Sequence, residues 1–129
     1  TSFEGNRGPY ILYTIVRIKS ILNKYMAEGQ KTDGLVIREA AGDSEKALML
    51  EAAKYNEVIE NAYAELAPHK ICAYIYDLAN AFNRFYHETK ILSEEDENRK
   101  KSYIALLVLT RKILESCIDM LGFEAPERM

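Results

Sequence analysis

The chain has 129 residues, of which 48% are hydrophobic and 29% are charged, and its formal net charge is −3. This length fits one domain with a core of its own, and the composition excludes a disordered or fibrous chain. Six glycines and three prolines supply few turns, which argues against a many-stranded β protein. No apolar run approaches the roughly 20 residues that a membrane span needs, and so balanced a charge does not by itself indicate a nucleic-acid binder.

The two cysteines and the first residues bear on the cellular compartment. Cys72 and Cys117 lie within apolar helical patterns, and we interpret them as core thiols of a reducing compartment rather than as a disulfide. The first four residues, numbers 1–4, carry neither the basic nor the apolar region of a signal peptide. We therefore expect a cytoplasmic protein without a membrane partner.

The first predicted helix begins at Gly8-Pro9, because proline suits the first position of a helix, and it stops at Gly29. Its apolar residues recur every three or four positions, at Ile11, Ile15, Ile18, Leu22 and Tyr25. The stretch 29–43 contains three glycines among polar residues, which predicts a mobile loop.

The next helical stretch is expected to have Asp43 or Ser44 as its cap. Its apolar stripe runs on to Leu66, with a break near Tyr55 for which Asn56 is the candidate cap.

Two long helices complete the pattern. Pro68 opens one that runs to about Lys90, with its apolar stripe at Ile71, Ile75, Leu78, Phe82 and Phe85. Ser93 with Asp96 resembles a capping box ahead of the last helix, which Gly122 ends. Because the connections are short, neighbouring helices run antiparallel, and the sequence predicts an all-α bundle of four to five helices.

Residues for catalysis or metal binding are scarce. The only histidines are His69 and His87, and neither follows a glutamate at the spacing of a di-iron bundle. His69 and Cys72 share a helical face, but two side chains do not complete a zinc site. No catalytic residue and no metal ligand is predicted, and the pattern favours a recognition module.

An aromatic and cationic strip on the first helix is the strongest functional signal. Tyr10, Tyr13 and Arg17 are spaced three and four apart and therefore share one face. Two rings followed by a planar cation are the groups on which unstacked, single-stranded bases stack. The alternative interpretation is that the rings only widen the apolar face and that Arg17 covers them. A second aromatic group ends the Pro68 helix, where Tyr86 lies beside the apolar stripe and its ring could reach the surface.

Three stretches resemble the anticodon-binding domain of class I arginyl-tRNA synthetases, which is known by its Asp-Ala-Leu-Arg (DALR) signature. Residues 8–22, beginning Gly-Pro-Tyr, are similar to the family's first helix, and residues 68–86 are similar to its central helix. Residues 121–129, ending Pro-Glu-Arg-Met, resemble the family's chain terminus. The resemblance covers nearly the whole chain except 29–43.

This resemblance implies a single helical domain over 1–129, the C-terminal part of a longer synthetase. The parent enzyme would ligate arginine to tRNA(Arg) with ATP, bound with Mg²⁺ in a catalytic domain outside this chain. Partners would be tRNA(Arg) and that catalytic domain, with no DNA and no membrane. The family's anticodon contacts fall on Tyr10, Tyr13, Arg17, Tyr86 and the C-terminal Met129.

Charge and position add Lys19, Lys24 and Arg128 as candidate phosphate contacts. A helical protein–protein interaction or dimerisation module, in which the tyrosines form the contact patch, remains the alternative function.

Overall fold

The computed structural model describes residues 7–122, which form five α-helices and no strand. In chain order the helices are α1 (Gly8–Ala27), α2 (Asp43–Ala53), α3 (Tyr55–Ala64), α4 (Pro68–Glu88) and α5 (Glu97–Leu121). The predicted all-α bundle of four to five helices is confirmed. None of these described helices is both long enough and apolar enough to cross a lipid bilayer.

Helix α4 lies at the centre of the bundle and packs against each of the other four helices. Its predicted apolar stripe is buried along its whole length, at Ile71, Ile75, Leu78, Phe82 and Phe85. Truncating a buried phenylalanine to alanine typically costs about 3–5 kcal/mol of folding free energy. Helix α1 packs against both α4 and α5, so that one edge of α1 lies beside one edge of α4.

Proline and glycine mark the ends of the long helices as predicted. Pro9 lies in the first turn of α1, and Pro68 in that of α4. Gly29 follows α1 with a φ of +85°, and Gly122 caps α5 with a φ of +79°. A left-handed residue after the last turn is a common way to end a helix, and glycine adopts that conformation at little cost.

The predicted cap of α2 is wrong. The helix begins at Asp43 itself, with Gly42 in the N-cap position and no side-chain cap bond. The carboxylate of Glu45, buried in the first turn, accepts a hydrogen bond from the Ala41 backbone N–H at 2.8 Å. This bond resembles one half of a capping box, in which the residue at the third helical position binds the backbone ahead of the helix. The other half is absent, because the N-cap is a glycine.

The break between α2 and α3 occurs at Lys54, directly before Tyr55. The predicted break is therefore confirmed, but Lys54 rather than Asn56 occupies the cap position of α3. Lys54 keeps helical dihedral angles and makes no side-chain cap bond, so this break is a small interruption between two nearly continuous helical segments.

The prediction that Leu66 continues the buried stripe is wrong, because α3 ends at Ala64. Leu66 has a φ of +50° and is 88% exposed. The Ala67 N–H donates to the Ala62 carbonyl at 2.8 Å, and the Leu66 N–H donates to the Tyr63 carbonyl at 3.3 Å. This pair of bonds is a Schellman motif, and Leu66 occupies the left-handed position where glycine is the usual residue.

The segment between α4 and α5 also differs from the prediction. Helix α4 ends at Glu88, before the expected Lys90. The cap of α5 is Asp96, whose Oδ1 accepts a hydrogen bond from the Arg99 N–H at 3.1 Å. Ser93 is not the cap, because α5 begins only after Asp96 and a cap binds the backbone two or three residues ahead of it.

Residues 28–42 connect α1 to α2 without helix or strand, as predicted for 29–43. The Arg38 N–H donates to the buried hydroxyl of Ser102 at 2.8 Å, and Leu35 packs against the core. These contacts attach the loop to the bundle, while its mobility stays a prediction.

Candidate functional site

The surface where α1 lies beside α4 carries most of the predicted site residues, and we call it the α1–α4 face. Its side chains are Arg7, Tyr10, Tyr13 and Arg17 from α1 and its N-terminal end, and Tyr76, Asn80, Asn83 and Tyr86 from α4. Within each set the residues are three or four positions apart, and this spacing places them on one side of their helix.

The centre of the α1–α4 face is the side chain of Asn83, which is only 8% exposed. The hydroxyls of Tyr10 and Thr14 and the Ala79 carbonyl each lie 3.0 Å from its Nδ2 and share its two hydrogens. Its Oδ1 accepts a hydrogen bond from Nη1 of Arg17 at 2.7 Å. One buried amide of α4 therefore contacts three side chains of α1.

The guanidinium of Arg17 contacts two aromatic rings. Its Cζ lies 4.2 Å from the ring centroid of Tyr86 and 5.0 Å from that of Tyr13. Its Nη2 also donates to the Tyr13 hydroxyl at 3.1 Å. Cation–π contacts contribute about 0.5–1 kcal/mol at exposed sites. Together with the bond to Asn83, they hold the guanidinium plane while its other N–H groups make no hydrogen bond within residues 7–122.

A second cation–aromatic cluster lies at the other end of the face. The Tyr10 hydroxyl donates to Oδ1 of Asn80 at 2.7 Å, and the Tyr10 ring lies 5.7 Å from the ring of Tyr76. The Cζ of Arg7 lies 4.5 Å from the centroid of the Tyr76 ring. The face therefore has a guanidinium against aromatic rings at both ends, with polar side chains between them.

The structure brings the predicted residues Tyr10, Tyr13, Arg17 and Tyr86 together. Tyr13 is 53% exposed, so its ring is not part of the core. Tyr10 is half-buried and packs against the core, yet its hydroxyl reaches the surface. The alternative, that the rings only widen the apolar face and Arg17 covers them, agrees with the half-buried Tyr10 and with the position of Arg17 over the Tyr13 ring, but not with the exposure of Tyr13. Tyr86 is also half-buried, and Arg17 lies over its ring.

The candidate phosphate contacts differ in position. Lys24 is seven residues after Arg17 and lies on the same side of α1. Lys19 is two residues after Arg17, about 200° around the helix, and lies on the other side. Arg128 and Met129 lie outside the described residues.

Beside Tyr86 the face continues into a groove of about 500 Å³. The groove is lined by Lys24 of α1, by Tyr86, His87 and Glu88 at the end of α4, and by Lys90 of the following segment. Because Glu88 is already ion-paired within α4, the two lysines and the aromatic ring are the groups that can meet an anionic ligand that also stacks.

Four residues of the face were not predicted as site residues: Arg7, Tyr76, Asn80 and Asn83. The α4 members follow Tyr76 at intervals of four and three, the same helical spacing that identified the strip on α1. An asparagine beside the apolar stripe was the available signal for Asn83, because buried amides need several hydrogen-bond partners.

The cysteines lie elsewhere and are free thiols. Burial raises the pKa of Cys117 from 9.0 to about 12, and burial also raises the pKa of Cys72. Thiols with raised pKa values are poor nucleophiles at neutral pH. Within residues 7–122, no cluster of three or more His, Cys, Asp or Glu side chains is arranged to hold a metal ion.

Comparisons with known proteins agree on one family. The family described as DALR anticodon binding domain matches residues 11–129. The chain is 70% identical over 131 residues to an arginine–tRNA ligase of Agathobacter rectalis, covering all of this chain and 22% of that protein. It is 53% identical over 129 residues to an arginine–tRNA ligase of Alkaliphilus oremlandii, covering 99% of this chain and 22% of that protein.

A solved structure shows the same fold. The arginyl-tRNA synthetase of Thermus thermophilus superposes with a TM-score of 0.77 at 29% sequence identity, covering 98% of this chain and 22% of that one. The chain thus spans about a fifth of the length of the curated relatives it matches.

Proposed function

Since the chain belongs to the DALR anticodon binding domain family, we propose that it binds the anticodon stem-loop of tRNA(Arg) as the C-terminal domain of an arginine–tRNA ligase. The observation that carries this proposal is the α1–α4 face, where two tyrosine rings and a hydrogen-bonded guanidinium share one surface. Anticodon bases are unstacked and single-stranded, and RNA-binding proteins recognise such bases on aromatic and guanidinium planes.

The geometry supports different roles for the side chains of this face, with one stacking on bases and another reading base identity. Stacking on an aromatic ring contributes about 1–3 kcal/mol per base and depends little on which base it is. The exposed ring of Tyr13 is suited to that role. Base identity must be read by hydrogen bonds, and the N–H groups of Arg17 that are not directed at Asn83 or Tyr13 are the strongest candidates.

Tyr86 has a different part in this proposal from that of Tyr13. Because the Arg17 Cζ is only 4.2 Å from the Tyr86 centroid, a base on this side stacks on the guanidinium, with Tyr86 as its support. Tyr86 also lines the groove together with Lys24 and Lys90, and these two lysines are the groups there that can bind a phosphate of the loop. The carboxylate of Met129 is a further base contact that the family resemblance implies.

The parent enzyme's reaction forms part of the same proposal. It ligates arginine to tRNA(Arg) with ATP, and its catalytic domain, outside this chain, binds ATP with Mg²⁺ and is the partner of this domain. A cytoplasmic location follows from that reaction, and the free thiols of Cys72 and Cys117 support it.

The direct test is a titration of the 129-residue chain with a fluorescently labelled anticodon stem-loop of tRNA(Arg), repeated at rising salt. We expect the logarithm of the association constant to fall linearly with the logarithm of the salt concentration, because contacts to RNA phosphates release bound counterions. A stem-loop with the same stem and substituted anticodon bases is the matched control, and it should bind more weakly. Equal affinity for both RNAs would show that the chain binds RNA without recognising the anticodon bases. No RNA binding together with self-association would favour the protein–protein module.

A further inference from the structure

We propose that Asn83 is the positioning residue of the α1–α4 face: its buried amide fixes the Arg17 guanidinium and the Tyr10 hydroxyl in the orientation that meets the RNA, without touching the RNA itself. The inference rests on the proposed function for its RNA, but the positioning of Arg17 can be tested without RNA. At 8% exposure, Asn83 offers a ligand almost no surface, whereas Tyr13 and Arg17 beside it remain accessible.

The orientation of the Asn83 amide has only one solution. Arg17 has donors and no acceptor, so the group facing it at 2.7 Å must be Oδ1. The Ala79 carbonyl is an acceptor only, so the group facing it at 3.0 Å must be Nδ2. Because these partners lie at opposite ends of the amide, a flipped Asn83 would place like groups against each other at both ends.

This fixed amide sets the direction of the neighbouring hydrogen bonds. Nδ2 of Asn83 donates to the Tyr10 hydroxyl, so that hydroxyl directs its own hydrogen to Asn80 at 2.7 Å. The Thr14 hydroxyl likewise accepts from Asn83 and donates to the Tyr10 carbonyl at 2.9 Å. Every one of these hydroxyls therefore has a defined donor and acceptor side before any ligand arrives.

Asn83→Leu separates positioning from folding. Leucine has nearly the shape of asparagine, and the substitution leaves no buried donor unpaired. The Thr14 hydroxyl still donates to a carbonyl, the Tyr10 hydroxyl still donates to Asn80, and the half-exposed Arg17 can bind water instead. The bundle should therefore fold while the Arg17 guanidinium loses its fixed acceptor.

The first measurement is the ¹⁵N–¹H signal of the Arg17 Nη1 group in the free chain, because this group donates to Asn83. A guanidinium held by Asn83 and two rings gives a shifted signal that exchanges slowly with water. In Asn83→Leu this signal should move toward that of a solvated arginine and exchange faster. Thr110→Val is the matched control, because it removes a buried hydrogen bond of 2.8 Å to the Leu106 carbonyl of α5 and should leave the Arg17 signal unchanged.

The second measurement is the affinity for the tRNA(Arg) anticodon stem-loop. Asn83→Leu should weaken binding about tenfold, the effect of losing one hydrogen bond to a charged group. If Asn83 acts through Arg17, adding Asn83→Leu to Arg17→Lys should cost little beyond Arg17→Lys alone. Asn83→Ala, measured in the same way, takes the place of Asn83→Leu if leucine overpacks the site.

An Arg17 signal in Asn83→Leu that matches the wild type would overturn the proposal, and so would an affinity loss no larger than that of Thr110→Val. Fully additive losses for Asn83→Leu and Arg17→Lys would also contradict it, because Asn83 would then act independently of Arg17. The two failures are distinguishable: RNA that does not bind the wild-type chain contradicts the proposed function, whereas the Arg17 signal decides whether Asn83 positions the guanidinium.

Discussion

Replacing Arg17 with lysine distinguishes two ways in which a cation can bind RNA. A lysine keeps the positive charge, but it has no planar group that can stack on Tyr86 while bonding to Asn83 and Tyr13 at the same time. If Arg17 acts only as a point charge, Arg17→Lys should be almost neutral. If it acts as a planar donor, as we propose, the variant should lose affinity at every salt concentration.

The magnitude follows from the contacts of Arg17. Replacing an arginine that reads a base edge typically costs about 1–3 kcal/mol of binding free energy, or roughly 5- to 150-fold in Kd. The same substitution should cost the bundle about 1 kcal/mol of folding free energy, because Oδ1 of Asn83 loses its arginine donor while the half-buried Tyr86 ring stays stacked on Phe82.

Fluorescence anisotropy with the tRNA(Arg) anticodon stem-loop, between about 50 and 200 mM salt, measures both Kd and the dependence of Kd on salt. We expect Arg17→Lys to raise Kd while the slope of log Kd against log salt stays that of the wild type. Arg17→Ala is the companion variant, and a phosphate contact at this position would lower its slope by about 0.7. Wild-type affinity for Arg17→Lys would refute the planar role of Arg17.

Four other predictions follow from the structure. In the full-length arginine–tRNA ligase that we propose, Tyr86→Ala should reduce aminoacylation mainly through KM for tRNA, with KM for arginine and ATP unchanged. An unaltered dependence on anticodon sequence would remove Tyr86 from the interface. Tyr10→Phe should weaken stem-loop binding several-fold, because it removes the hydroxyl that Asn83 and Asn80 hold in place. The control is Tyr74→Phe, which loses a 2.7 Å hydrogen bond to the Glu51 carbonyl. It should cost about 1 kcal/mol of folding free energy and leave RNA binding intact. Leu66→Gly should stabilise the bundle by up to about 1 kcal/mol in urea denaturation, because glycine suits the left-handed position that Leu66 occupies; a lower denaturation midpoint would show that the leucine side chain contributes there.

The fourth prediction concerns alkaline pH. Because burial raises the pKa of Cys117 from 9.0 to about 12, the unfolded chain releases a proton that the folded chain keeps, so this contribution is intact below pH 9.0 and is lost as the pH rises through 12. The contribution of Cys117 to the free energy of unfolding should therefore fall by at most about 1.4 kcal/mol per pH unit above 9.0. Cys117→Val should show a shallower fall in urea denaturation, and identical pH profiles for both chains would contradict the assignment.

The sequence was sufficient for the helices whose apolar stripe is long and regular. The stripe of α4 from Ile71 to Phe85 is buried as predicted, because the helical period alone determines which side of so long a helix faces the core. Helix ends were predictable where proline or glycine restricts the backbone, as at Pro68 and Gly122.

The wrong predictions concern helix ends, where more than one local structure fits the sequence. Asp43, Ser44 and Ser93 are all good capping residues, but Glu45 and Asp96 make the bonds, and sequence alone does not rank such neighbours. Leu66 continues the apolar spacing of the sequence, but α3 ends at Ala64 and Leu66 has a left-handed backbone conformation.

The site was predictable on α1 and incomplete on α4. The spacing of Tyr10, Tyr13 and Arg17 identifies one face of one helix, whereas Asn83 matters because α4 packs beside α1, a tertiary contact. Neither the helix propensity of single residues nor the helical period of the sequence predicts which side chains of two helices meet.

The most direct test of the central claim is a map of backbone and side-chain NMR shift changes when the tRNA(Arg) anticodon stem-loop is added to the 129-residue chain. We predict that the largest changes lie at Tyr10, Tyr13, Arg17 and Tyr86, with Lys24 affected and the exposed end of α3 around Leu66 unaffected. Changes concentrated on α2 and α3, with the α1–α4 face unperturbed, would contradict the claim that this face binds the RNA.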